Sequence, residues 1–184
     1  VKGSESLGRI INERHFNRLR NILESDKEGL IYGGEYDEEE KYIAPSIIQV
    51  KDWNAACMKE EIFGPILPIM EYSDLNEVVN AINKQPKPLA LYLFTSDKRV
   101  EKKVLNEISS GGVSINDTIL HLANSNLPFG GVGNAGMGAY HGEESFRTFS
   151  HRKSVLKKSR VLNTTLMYPP YSDKKLMVIK RFLK

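Results

Sequence analysis

One cysteine, Cys57, stands in the 184 residues. The chain therefore holds neither an internal disulfide framework nor a cysteine-rich zinc site, and its thiol content suits a reducing, cytoplasmic compartment. The four histidines, His15, His121, His141 and His151, show no H-E-x-x-H or other paired ligand spacing, so no metal site is expected. A G-x-S-x-G elbow and a G-x-x-x-x-G-K-[ST] phosphate loop are both missing. Long apolar runs are scarce too. Leu89-Ala90-Leu91-Tyr92-Leu93-Phe94 falls far short of the ~20 residues of a membrane helix, and no transmembrane segment is expected. Val1-Lys2-Gly3-Ser4 is no secretory h-region, and the start without methionine reads as a cut end.

What is present suits an ordinary globular domain, with 40% hydrophobic and 27% charged residues. The net charge of +3 hides an asymmetry. Residues 151–184 carry ten Lys or Arg against the single acid Asp173, whereas the preceding 150 residues carry 16 basic and 22 acidic side chains. Such a tail suits nucleic acid, an anionic lipid surface or a solvated terminal helix. Lys174 to Lys184 interleaves its charges with Leu176, Met177, Val178, Ile179, Phe182 and Leu183 and reads as the solvated helix. With no aromatic-plus-basic stacking surface evident, no nucleic-acid partner is expected.

Apolar spacing at Ile10, Ile11, Phe16, Leu19, Ile22 and Leu23 predicts a first helix. Leu30–Tyr32 reads as a strand, Glu35–Glu40 as an exposed acidic loop, and Tyr42–Val50 as a strand that Pro45 breaks or marks as an edge. Ile66–Tyr72 is a further strand, followed by Ser73-Asp74 capping a helix over Leu75–Lys84. Leu89–Thr95 has the continuous apolar character of a buried parallel strand, Ser96-Asp97 caps a helix to about Ser109, and Val113–Asn116 returns to strand. Phe146–Leu156 reads as extended and pairing outside the main sheet. The alternation predicts an α/β fold, a mostly parallel sheet of βαβ units with helices on its faces.

Two motifs stand out. Gly131-Val132-Gly133-Asn134-Ala135-Gly136 satisfies G-x-G-x-x-G, but Pro128 precedes it, Gly138 and Gly142 interrupt the stretch after it, and no acid stands about twenty residues on. It is not read as a dinucleotide fingerprint. The other is Met58-Lys59-Glu60-Glu61-Ile62-Phe63-Gly64-Pro65. A carboxylate there can accept hydrogen bonds from both hydroxyls of a ribose, with a neighbouring aromatic packed beside the base. A solvated acid pair beside a core Phe is the plainer alternative.

Together with Leu127–Gly142 and Ser145–Lys153, this segment resembles the C-terminal half of an aldehyde dehydrogenase of the class 3 type. The match begins near Leu7 and runs almost to the end. The resemblance implies oxidation of an aldehyde to a carboxylic acid with NAD or NADP through a cysteine thioester. It assigns Glu61 and Phe63 to cofactor binding. Ile119, Leu122, Ala123, Phe129 and His141 fall at the substrate pocket, whose apolar lining suits a medium-chain aliphatic or aromatic aldehyde. No catalytic residue is assigned within this chain: the nucleophilic cysteine, the general base and the oxyanion-stabilising asparagine fall upstream of the matched region, and Cys57 is expected to be an ordinary small hydrophobe. Residues 1–142 are then the distal catalytic domain, 143–165 an oligomerisation segment with a strand around Phe149–Leu156, and 166–184 a basic tail. A homodimer is implied for the full-length protein. A non-catalytic binding or scaffolding module derived from the family is the alternative.

Overall fold

A computed structural model describes residues 1–159 and 165–182. Residues 160–164 of the expected oligomerisation segment and 183–184 of the expected tail lie outside the described residues. The chain divides into two compact units, Val1–Lys87 with Thr95–Ser109 and Pro88–Phe94 with Ser110–Lys184.

In the first unit, helix α1 spans Glu13–Ser25. It starts one turn later than the apolar spacing predicts, because Asn12 is extended and its side chain accepts the His15 N–H at 3.0 Å. Ile11 is thereby left outside and exposed. Strands β1 (Leu30–Tyr32), β2 (Tyr36–Asp37), β3 (Tyr42–Ile43), β4 (Ser46–Gln49) and β5 (Ile66–Ile69) come next, then α2 (Leu75–Asn83). Sheet order is β1-β4-β5: β4 runs antiparallel to β1 and parallel to β5, with Ser46 opposite Ile66. Pro68 is tolerated because β5 is the edge. The acidic stretch read as a loop holds β2, which pairs antiparallel with β3, Tyr36 opposite Ile43. Pro45 separates β3 from β4, and the two halves of that run enter different sheets. Ser46 bridges the break, its hydroxyl donating to the Ala44 carbonyl at 2.7 Å and accepting the Gly34 N–H at 2.9 Å.

Phe16, Leu19, Ile22 and Leu23 of α1 close over Ile43, Ile48, Cys57 and Ile66 to form the core. Asp74 and Asp97 cap α2 and α3 (Lys98–Glu107) as the sequence predicts, accepting the Asn76 N–H at 2.8 Å and the Arg99 N–H at 2.7 Å.

The second unit holds β6 (Ala90–Leu93) and β7 (Gly112–Ile115), a parallel pair with Ala90 opposite Gly112, and helices α4 (Leu120–Ala123), α5 (Gly142–Thr148) and α6 (Asp173–Phe182). The β6 run is half-exposed rather than fully buried. Phe146–Thr148 belongs to α5, not to a strand, because the Ser145 hydroxyl accepts the His141 N–H at 2.8 Å and starts a helical turn. Residues 151–159 adopt no regular secondary structure. The fold is thus mixed α/β; among the described residues, three small sheets combine parallel and antiparallel pairs in place of one mostly parallel sheet. Among the described residues no helix is long and apolar enough to cross a membrane.

Candidate functional site

The segment 60–65 is fastened to the first unit along most of its length. Arg18, projecting from α1, donates to the Glu60 carboxylate at 3.0 Å, to the Glu61 carbonyl at 3.4 Å and to the Ile62 carbonyl. Ile62 packs against the core cluster. Gly64 lies so close to Leu19 that a Cβ there would meet Leu19 Cδ1 at 2.6 Å, so any side chain at this position would have to displace the buried Leu19. Pro65 accepts the Ser46 N–H at 2.8 Å and leads into β5.

Glu61 and Phe63 are what remain. Both are exposed, Phe63 at 82% of its surface, and among the described residues no group hydrogen-bonds the Glu61 carboxylate. Phe63 adopts φ +46°, a left-handed conformation that costs a bulky residue of the order of 1–3 kcal/mol and persists only where the surroundings impose it. A free carboxylate beside an outward aromatic ring suits a ribose and a flat heterocycle, so the residues present fit a nicotinamide cofactor.

In the second unit, Phe129 and Tyr140 form a two-residue antiparallel bridge, each N–H donating to the other's carbonyl at 2.9 Å. Their rings meet edge to face at 5.6 Å; His141 stacks on Phe129 at 6.2 Å and meets Tyr140 at 4.5 Å. The His141 Nδ1 lies 3.2 Å from the Leu127 carbonyl oxygen. On α4, His121 sits between Tyr92 and Phe129, with ring centroids 5.8 and 5.9 Å away. Neither of its ring nitrogens has a hydrogen-bond partner among the described residues.

The structure therefore brings Phe129 and His141 into one aromatic group. Leu122 and Ala123 sit on α4, Leu122 half-buried and Ala123 exposed, with Ile119 immediately before it at 60% exposure. Ile119 and His141 have φ +65° and +91°, and Asn116 has +57°. A β-branched residue in that region is an outlier, and such outliers cluster at functional sites. Three of the seven residues singled out from the sequence, Phe63, Ile119 and His141, thus carry left-handed backbone, a signal that sequence reading does not register. Arg18, Tyr92, His121 and Tyr140 were also missed as contributors. His121 could have been suspected from its place between Ile119 and Leu122; Arg18, more than forty residues from the segment it holds, could not.

Cys57 belongs to the core. Burial, with the Asp26 carboxylate beside it, pushes its thiol up to about 11, the reverse of what a nucleophile needs. Burial opposes ionisation of Asp26 as well, but the Cys57 and Ala56 N–H groups, at 2.7 and 3.0 Å, outweigh it and hold the carboxyl below its ordinary value.

Residues 2–155 match the family model described as the aldehyde dehydrogenase family, and the chain belongs to that family. Among curated relatives, it is 48% identical over 184 residues to the 4,4'-diaponeurosporen-aldehyde dehydrogenase of Staphylococcus aureus, covering all of this chain and 40% of that protein. It is 49% identical over 173 residues to the dimeric NADP-preferring aldehyde dehydrogenase of Rattus norvegicus, covering 92% of this chain and 38% of the other. The substrate-bound Staphylococcus aureus AldH superposes with a TM-score of 0.85 at 48% identity, covering 100% of this chain and 40% of that one. A Mycobacterium tuberculosis aldehyde dehydrogenase complexed with NAD+ gives 0.73 at 28% identity, covering 83% and 32%. The chain spans about 40% of the length of the curated relatives it matches.

Proposed function

We propose that this chain is the distal part of the catalytic domain of a class 3 type aldehyde dehydrogenase, which oxidises an aldehyde to a carboxylic acid with NAD or NADP. Glu61 and Phe63 hold the nicotinamide half of the cofactor, the carboxylate accepting from the ribose hydroxyls and the ring packing beside the base. Ile119, Leu122, Ala123, Phe129 and His141 line the aldehyde pocket, where an apolar wall orients the substrate and excludes water. When bound, the cofactor supplies the hydride acceptor. The nucleophilic cysteine and general base belong to the part of the subunit outside this chain, and the 184 residues alone are expected not to turn over an aldehyde. Residues 143–165 serve homodimer contact in a cytoplasmic enzyme, with the extended stretch after α5 pairing only against a partner, and 166–184 form a basic tail.

The observation that carries this reading is the outward, unpartnered Glu61 and Phe63 on a segment otherwise fastened down. Glu61→Gln and Phe63→Ala test it in the complete subunit. Each is expected to raise the cofactor dissociation constant by about tenfold or more, followed by nicotinamide fluorescence, while leaving the fold intact. Unchanged affinity in both variants would remove the assignment.

A further inference from the structure

The fastening of residues 60–64 goes beyond the two residues that face outward, and it has one principal agent. We propose that Arg18 is a positioning residue for the cofactor, setting the geometry of Glu61 and Phe63 without touching the cofactor itself; the proposal rests on the reading of those two residues given above.

Three features support it. First, the guanidinium reaches three acceptors on consecutive residues, the Glu60 carboxylate and the Glu61 and Ile62 carbonyls. A planar fork with five donors spans such a set, whereas a lysine ammonium on its single axis does not. Second, Arg18 sits on α1 between Phe16 and Leu19, both wholly buried, so its stem starts from the most firmly packed element of the unit. The reference frame for the segment is the core itself. Third, the ion pair with Glu60 saturates the acidic neighbour and leaves Glu61, one residue on, without a cation. Had the guanidinium turned to the Glu61 carboxylate, that group would be neutralised and turned inward. The backbone bond to Glu61 instead takes its carbonyl and leaves its side chain free.

The left-handed Phe63 connects these features. Its φ of +46° is unfavourable locally, and the segment relaxes toward an ordinary conformation unless both flanks are held. Arg18 holds the N-terminal flank through the Ile62 carbonyl, and Leu19 closes the C-terminal flank against Gly64. Two adjacent residues of one helix turn thus set the backbone on either side of the strained residue. Loosening the Arg18 side lets the Phe63 ring and the Glu61 carboxylate drift together, and a displacement of this kind at a binding contact is felt as lost affinity.

The test uses the complete subunit. Arg18→Lys keeps the charge and loses the fork, and is expected to raise the NAD(P)+ dissociation constant about tenfold, with kcat at saturating cofactor changed less than about twofold. Amide hydrogen exchange at Phe63 and Gly64 is expected to quicken in the same variant without cofactor. Glu60→Gln removes the ion pair but leaves both carbonyl bonds, and is expected to bind cofactor within about twofold of the parent. If Glu61→Gln weakens binding and Arg18→Lys does not, even with a lowered melting temperature, Arg18 is merely structural and the proposal falls while the cofactor assignment stands. If Glu61→Gln, Phe63→Ala and Arg18→Lys all leave binding unchanged, the cofactor assignment fails and takes the proposal with it.

Discussion

The two units of the chain cohere by different means. Every buried apolar side chain among the described residues lies in the first unit, where α1 closes over β3, β4 and β5. The second unit packs backbone against backbone: a Cβ on Gly131 would run into the Ala135 carbonyl, and Phe129 and Tyr140 join through paired main-chain hydrogen bonds. Its apolar side chains are left half-exposed, Phe129 and Leu122 among them, or exposed, as Ile119 is. Apolar surface left accessible in this way forgoes the burial that stabilises a core. The first unit keeps a full core, and Glu61 and Phe63 stand exposed on a segment that its helix α1 holds in place.

Truncation in each unit is the most forceful way to break this contrast. Leu19→Ala removes a side chain with 0% exposure, and is expected to cost about 3 kcal/mol in urea unfolding followed by far-UV circular dichroism. Leu122→Ala, which deletes the same atoms from the half-buried face of α4, is expected to cost under about 1 kcal/mol. Equal costs would mean that the second unit has a core as tight as the first.

Next in size is the acid and base behaviour of the first unit. Asp26 closes α1 and accepts two amide hydrogen bonds from the turn that carries Cys57, so Asp26→Asn is expected to cost about 1–2 kcal/mol at neutral pH. The pH dependence has a definite sign at each end. Because the folded Asp26 carboxyl lies below its ordinary value, its contribution is complete above that value and is lost as pH falls through the lowered one. Because the folded Cys57 thiol is raised from 9.0 to about 11, its contribution is complete below the ordinary value and is lost as pH rises through about 11. Thermal melts from about pH 2 to about pH 11 are expected to show both limbs. The acid limb shrinks in Asp26→Asn, and an unchanged acid limb would place the responsible carboxylate elsewhere.

Legibility in the sequence divides along similar lines. Helices α2 and α3 and their aspartate caps were readable because a cap and a 3.6-residue period are local properties. The β2–β3 hairpin was not, since an acidic run without apolar alternation carries no strand signal, and its pairing comes from β3 and from Asp37, which meets Lys2 at 2.6 Å. Helix α5 was hidden because its start is a glycine and a histidine in left-handed conformations, where a sequence rule expects a turn. Glu61 and Phe63 are singled out by the family motif alone. The contacts that flank them come from Arg18 and Leu19, and no local pattern connects residues separated by more than forty positions.

The smallest effects sharpen the comparison by ignoring it. Each unit has a surface helix with an i,i+4 ion pair: Lys103 with Glu107 on α3 at 2.6 Å, and Glu143 with Arg147 on α5 at 2.7 Å. If burial set the worth of such pairs, the first unit would gain more. The helix dipole predicts the opposite order, because Glu143 lies in the first turn of α5 and Arg147 in its last, while α3 places the acid at its C-terminal end. Arg147→Met is therefore expected to lower the melting temperature slightly at low salt and to lose that effect at high salt; Lys103→Met is expected to shift it less at either. The reverse order would mean that the packing around α3, and not the sequence order of the charges, sets the strength of a surface pair in this chain.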